Sequence, residues 1–452
     1  MDKKLIYAAV DSNAKAITDL SDQIWEFAEL SMEETKSTAA YISLLKEYGF
    51  QVEEHLAGMP TAFLGKYGSG KPVIGILGEY DALSGLSQKA DTLYMNPEIP
   101  GGSGHGCGHN LLGAASLGAA IAIKEQIQAG LLSGTVIFYG CPGEEGCAGK
   151  TFMAREGMFR DLDAALCWHP DDTNAVTVGS NAASLQVEYT FTGIAAHAAG
   201  NPDQGRSALD AAELMNIGVQ FLREHMPRDC SLHYAFTNAG GISPNVVQQQ
   251  AKLVYMVRGK NVRSAKALLA RVDKVAQGAA MMTETSVSSR QIDGTSSTLS
   301  NTVLEKVLYE NLRLAPLPQY SPEETGFAKD LKATYSSNTA EPALNGTIKP
   351  YTPSGEMSPG STDVGDVSWL TPTAQFTAVT WPVGIPGHSW QTVSAGKSTI
   401  AHKGMLFAAK VLAGTVADLL TNKDLLQSAR EEFAVASKEG YDCPITADVK
   451  PI

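Results

Sequence analysis

Residues 73–81 read Val-Ile-Gly-Ile-Leu-Gly-Glu-Tyr-Asp, a short apolar run closed by a glycine and two carboxylates, Glu79 and Asp81. In open parallel sheets ligands bind beyond the carboxyl ends of the strands, so the residues just past each apolar run are informative. The same arrangement recurs outward from this stretch. Residues 135–139 are followed by Cys-Pro-Gly-Glu-Glu-Gly, with Glu144 and Glu145, and residues 164–168 by His169. Residues 374–380 lead into Gly-Ile-Pro-Gly-His-Ser, with His388. Gly-His-Gly-Cys-Gly-His-Asn, residues 104–110 with His105, Cys107 and His109, opens a small-residue helix over 111–127. Brief apolar runs alternating with helices predict βαβ units and a largely parallel sheet buried on both faces. The small residues of the helix let its backbone pack close to that sheet.

Farther out the rhythm changes. Residues 13–48 carry helical spacing through Ile17, Leu20, Ile24, Phe27 and Leu30. From residue 184, Leu185, Val187, Tyr189 and Phe191 alternate with polar residues, as in a strand with one solvated face. Helices over 207–222 and 263–282 and strands near 231–237, 246–257 and 284–292 follow. The fold class is therefore α/β: a mixed, largely parallel sheet in a discontinuous domain of residues 1–183 and 297–452. An α+β, ferredoxin-like domain of residues 184–296 is inserted in it. Residues 335–365 are rich in Ser, Thr, Pro and Gly and lack periodicity, which marks a functional or disordered loop.

At 452 residues, 44% hydrophobic and 18% charged, the chain has the composition of a globular protein of two domains. No uninterrupted apolar stretch of spanning length occurs, and the start does not have the form of a signal peptide. Six scattered cysteines without a secretion signal point to a reducing, cytoplasmic setting and not to a disulfide framework. A net charge of −13 argues against nucleic acid and anionic membranes as partners.

Imidazole, thiolate and carboxylate gathered at five segment ends suit zinc or another divalent transition metal such as manganese. In the Glu144–Glu145 pair one carboxylate can bind metal. The other, left free, can take a proton from water and pass it to a leaving amide nitrogen. Gly-x-Ser-x-Gly is missing, which removes a serine hydrolase of that type. A cysteine hydrolase built on Cys107 would leave the other clustered groups unexplained. The glycines around 101–108 do not form a dinucleotide fingerprint.

Gly-His-Gly-Cys-Gly-His-Asn, Pro-Gly-Glu-Glu-Gly, Cys-Trp-His-Pro, Gly-Ile-Ala-Ala-His-Ala and Gly-His-Ser-Trp resemble the motifs of the aminoacylase and carboxypeptidase-like dinuclear metallopeptidases. Gly-Glu-Tyr-Asp-Ala-Leu-Ser-Gly-Leu-Ser-Gln, Ser-Pro-Asn-Val-Val-Gln and Ser-Thr-Asp-Val-Gly-Asp-Val-Ser-Trp are similar to its amidohydrolase branch, which includes the aminobenzoyl-glutamate hydrolases. The resemblance implies hydrolysis of the amide bond of a small N-acyl amino acid or dipeptide, with aminobenzoyl-glutamate foremost. It implies Cys107, His109, Glu145, His169 and His388 as metal ligands and Glu144 as general base. It also implies that His197 stabilises the oxyanion, often across a dimer interface, and that Asn245 contacts substrate from a lid and dimerisation domain. The dimer would be a homodimer or a heterodimer with a related subunit; a partner-dependent metal-binding subunit is the alternative. Asp81 is expected to orient a ligand, and Arg258 either to hold a substrate carboxylate or to form an ordinary salt bridge. Asn110 stands where many relatives carry Asp, removing a charge near the metals. Glu79 replaces a histidine ligand of many aminoacylases and is not assigned as a ligand.

Overall fold

The computed structural model describes residues 2–336, 341–358 and 360–451. Helices α1 (Lys3–Ser12), α2 (Ala14–Phe27) and α3 (Thr35–Glu47) precede strands β1 (Gln51–Glu54), β2 (Phe63–Ser69) and β3 (Val73–Gly78). Next come α4 (His109–Gln128), β4 (Gly134–Gly140), α5 (Gly149–Arg155), β5 (Ala164–Asp171) and the short strands β6 (Ala175–Val176) and β7 (Ser180–Asn181). A second unit contains β8 (Ala183–Thr192), α6 (Ala208–Arg223), β9 (Ser231–Asn238), β10 (Gln250–Gly259), α7 (Val262–Thr283) and β11 (Ser286–Thr295). The chain continues through α8 (Thr302–Leu314), α9 (Pro322–Ala333), β12 (Met357–Ser358), α10 (Val364–Ser368) and β13 (Thr373–Val379). It closes with α11 (Trp390–Ala395), α12 (Thr399–Thr421) and α13 (Lys423–Ala436).

The main sheet has the order β1-β2-β4-β3-β5-β13-β6. Its four central strands are parallel, and β1, β2 and β6 are antiparallel additions at the edges. Every residue of β4 is buried, as a strand covered on both faces requires. Helix α4 lies tightly on this sheet because of its small residues. A Cβ on Gly113 would overlap the Tyr41 hydroxyl and the Glu79 carbonyl, so glycine alone lets the start of α4 sit against the end of β3. Helix α12 is long and apolar enough to cross a membrane, but 78% of its apolar window is buried inside the protein, where it packs on α4.

The second sheet, β11-β8-β10-β9, is antiparallel throughout. Leu185, Val187, Tyr189 and Phe191 face α6 and α7 in a core of their own, while Gln186, Glu188 and Thr190 face away. Strand β9 is an edge, and most of its residues are exposed.

Two expectations change. The helical spacing over 13–48 is broken at Ala28, which adopts a left-handed conformation (φ 43°) and separates α2 from α3. Periodicity missed this break because the loop 29–34 interrupts the helix without interrupting the apolar spacing. In the stretch 335–365, residues 337–340 and 359 lie outside the described residues. The remainder is tied down: the Lys349 N–H bonds the Asn174 carbonyl, the Tyr351 hydroxyl donates to Glu305, and β12 pairs with β7.

Candidate metal centre and active site

The ends of β3, β4 and β5, the loop after β13 and the start of α4 deliver the clustered side chains. Cys107 and His109 flank Gly108, whose φ of 76° is left-handed and whose Cα faces Pro170 and Trp381 closely enough to exclude a Cβ. That glycine turns the chain so that thiol and imidazole reach the same point. His388 is itself left-handed (φ 60°), and its N–H donates to the Gly106 carbonyl, locking the two loops together.

Donor atoms of Cys107, His109 and His169 lie within 4.8 Å of one another, as do those of Cys107, Glu145 and His388, and those of Glu79, His109 and Glu144. Every residue expected as a ligand is in one of these groups, and Cys107 is in two. Cys107 Sγ is 3.3 Å from His169 Nε2. Glu79, not assigned from the sequence, joins the cluster.

Hydrogen bonds aim the rings. A carbonyl only accepts, so His169 Nδ1 carries the proton it donates to Pro170, at 2.7 Å, and Nε2 faces Cys107 with its lone pair. His109 Nδ1 donates to Asp81 Oδ1 at 2.9 Å, leaving Nε2 toward the cluster. Asp81 Oδ2 accepts from the Ser31 hydroxyl and the Glu145 N–H, each at 2.9 Å, so one carboxylate orients one donor and fixes the backbone of another. Glu34 accepts from the Gly143 N–H at 2.8 Å and steadies the loop that carries the glutamate pair. Ser31 and Glu34 lie in the break after Ala28, and no motif marked them.

The electrostatics suit cations. Glu79, Asp81, Glu144, Glu145 and Asp363 gather in one region, where the ammonium of Lys150 meets two of them. Burial, reinforced by Glu79, Asp363 and Glu145, pushes Glu144 well above the ordinary carboxyl range, which suits a group that takes and returns a proton. Burial opposes ionisation of Asp81, but the hydrogen bond and charge of His109 outweigh it and hold Asp81 at about 2. Burial raises the Cys107 thiol, so a thiolate there calls for a neighbouring positive charge. His109 Nε2 stands 3.2 Å from Glu79 Oε2 and Glu145 Oε1 3.3 Å from His388 Nε2. Among the described residues, however, neither His109 Nε2 nor Glu145 Oε1 has a hydrogen-bond partner. Two orphaned polar atoms facing a thiol, imidazoles and carboxylates are what divalent metal ions would satisfy.

Other candidates fall elsewhere. His105 is buried, bonded to the Ile24 carbonyl at 2.9 Å, and belongs to none of the donor groups. Asn110 donates its amide to Ser21 and to the Gly396 carbonyl, tying α4 to α2 and to the turn after α11. His197 and Asn245 are exposed, side by side: His197 bridges to Val246, and the Ala198 N–H bonds the Asn245 carbonyl. Among the described residues neither belongs to the donor groups or lines the adjoining cavity.

That cavity, about 270 Å³, runs from Glu144, Glu145 and His388 to the ends of β8, β10 and β11. Arg258 lines it and donates to Ser361 Oγ at 3.0 Å. A larger cavity of about 520 Å³ near Trp25 and Ile99 includes none of the clustered donors. Asp293, also on the smaller cavity, accepts from Gln186 at 2.9 Å, and burial followed by the charge of Asp363 raises it to about 7. The folded chain thus keeps a proton that the unfolded chain releases near pH ~4. Stability from this group is lost as pH rises from about 4 to about 7. Asp293→Asn is expected to melt above the parent at pH ~8 and level with it below pH ~4. A difference independent of pH would refute the account.

A family model for peptidase family M20/M25/M40 matches residues 75–418. The chain belongs to this family. Over an alignment 472 positions long it is 44% identical to the B subunit of p-aminobenzoyl-glutamate hydrolase from Escherichia coli (strain K12), covering 99% of this chain and 98% of that protein. The resemblance drawn from the motifs is thereby borne out. Among solved structures, an aminobenzoyl-glutamate utilization protein from Klebsiella pneumoniae superposes with a TM-score of 0.59 at 17% identity, over 88% of this chain and 96% of that one. A dinuclear metal binding peptidase of the M20 family from Bacillus subtilis has a TM-score of 0.56 at 19% identity, over 90% and 99%. Both share the M20 fold with this chain, in keeping with the mixed α/β class.

Proposed function

We propose that this M20 hydrolase cleaves the amide bond of a small N-acyl amino acid or dipeptide, and that aminobenzoyl-glutamate is the foremost substrate. The observation that carries this is the convergence of five potential ligands in two groups sharing Cys107, with the carboxyl of Glu144 beside them. Cys107, His109, Glu145, His169 and His388 would hold two divalent ions. Zinc or manganese bound there supplies Lewis-acid charge that polarises the scissile carbonyl and makes a water more acidic. Glu144 takes the proton of the attacking water and delivers it to the leaving nitrogen. Asp81 keeps His109 turned toward the centre. Arg258, on the cavity wall, receives the carboxylate of the amino-acid half, and Asn245 contacts substrate from the unit 184–296, which acts as lid and dimerisation domain. His197 stabilises the oxyanion, a contact whose loss costs roughly 3–4 kcal/mol. The six scattered cysteines of the sequence suit a cytoplasmic setting.

A second reading rests on the exposed position of His197 and Asn245, outside the donor cluster of their own chain. The oxyanion contact would then come from a neighbouring subunit, either a second copy or a related chain. The edge strand β9, with Tyr234 and Phe236 exposed, supports contact through this unit. The Escherichia coli relative is named as one of two kinds of hydrolase subunit, which supports a heteromeric assembly. Purified chain, alone and mixed with a related subunit, should be assayed with zinc or manganese against acyl-glutamates and other acyl-amino acids. Preference for aminobenzoyl-glutamate by the chain alone supports a homomeric enzyme. Turnover only in the mixture supports the partner-dependent reading, and no amide hydrolysis under either condition would overturn the proposed function.

A further inference from the structure

Lys150, in the first turn of α5, is completely buried, and its ammonium lies 2.6 Å from Glu79 Oε1 and 2.6 Å from Asp363 Oδ1. The other oxygen of Asp363 accepts the Lys150 backbone N–H at 2.8 Å. One turn farther along α10, Asp366 accepts from the Thr151 hydroxyl, from the N–H and hydroxyl of Ser296, and from the Tyr441 hydroxyl. The Ser-Thr-Asp-Val-Gly-Asp-Val-Ser-Trp motif of residues 361–369 therefore clamps the beginning of α5 through both of its aspartates. Through Glu79 the clamp reaches the donor cluster, since Glu79 Oε2 faces His109 Nε2 at 3.2 Å and Glu79 groups with His109 and Glu144.

A dry ammonium is retained where its charge is compensated, and here two carboxylates share it. Its grip on one oxygen of Glu79 has two consequences. The carboxylate is held with only Oε2 toward the cluster, and its charge is offset in part before any cation enters. We infer that Lys150 is a positioning residue for the metal centre: anchored by Asp363, it holds Glu79 and offsets part of its charge, so that Glu79 borders the ligands without becoming one. This rests on the metal-centre reading above.

The sign of the effect separates this role from simple packing. Removing the ammonium leaves a carboxylate beside the cluster uncompensated, so Lys150→Met is expected to bind zinc more tightly, by on the order of tenfold, in competition with a chromophoric chelator under mildly alkaline conditions. Its kcat is expected to fall roughly 10–100-fold, with KM little changed, because Glu79 is then free to enter the ligand set. Glu79→Gln, which leaves only the neutral Lys150–Asp363 pair where the parent carries one net negative charge, is expected to bind zinc more weakly than the parent. Adding Lys150→Met to Glu79→Gln should restore affinity toward the parent value. The comparison of Glu79→Gln with the double variant decides the matter even if Lys150→Met alone does not fold. Weaker zinc binding by Lys150→Met, or no recovery in the double variant, would overturn the inference and leave Lys150 as a structural clamp. A parent protein that binds no zinc or manganese would instead overturn the metal-centre reading itself.

Discussion

Glu144→Ala is expected to lower kcat by about 10²–10⁴-fold, the contribution of a well-placed general base, while bound metal stays near the parent level. The carboxyl belongs to the cluster of Glu79 and His109 but to neither of the two groups that contain Cys107. The ligands proposed for both ions therefore survive its removal. Burial, followed by the charges of Glu79, Asp363 and Glu145, disfavours its ionised form, so taking the carboxyl away should leave the fold at least as stable. Glu144→Gln keeps the shape and removes only the proton-carrying function, and should be as inactive as the alanine variant. Metal analysis by mass spectrometry beside steady-state kinetics checks both halves. Turnover within about tenfold of the parent, far short of a lost general base, would exclude Glu144 as the proton carrier.

Cys107→Ala should have the largest effect on the ions themselves. Its thiol is the one donor common to the group with His109 and His169 and the group with Glu145 and His388. Losing it weakens both positions at once, whereas His169→Ala touches only the first. Affinity and activity are expected to drop by more than the roughly 10–100-fold that removal of an outer partner costs. Excess zinc or manganese should restore less activity to Cys107→Ala than to His169→Ala. Chelation of the parent should abolish hydrolysis, and readdition of metal should recover it. Equal metal content in the two single variants would mean that Cys107 does not join the two positions.

Much of the site was legible in the chain because parallel strands impose a rule: a group placed just past a buried apolar run arrives at the same edge of the sheet. Glu144, Glu145, His169 and His388 satisfy it, Cys107 and His109 stand at the opening of the helix packed on that sheet, and the structure brings the six together. The small residues of α4 likewise announced close packing, realised at Gly113 against β3. Other contributors carry no such mark. Ser31 and Glu34 reach the site only because the helical spacing of 13–48 breaks at Ala28. Lys150 resembles any helical lysine until Asp363, more than two hundred residues away, closes over it.

The sequence by itself determined the sheet type, the identities of the clustered donors other than Glu79, and the family, because alternation, apolar runs and glycine-framed motifs are local properties of a chain. Only the tertiary structure decided how the rings are turned, and that His197 and Asn245 sit together away from the cluster of their own chain. Those outcomes depend on hydrogen bonds and charges between residues distant in sequence, whose meeting is fixed by packing.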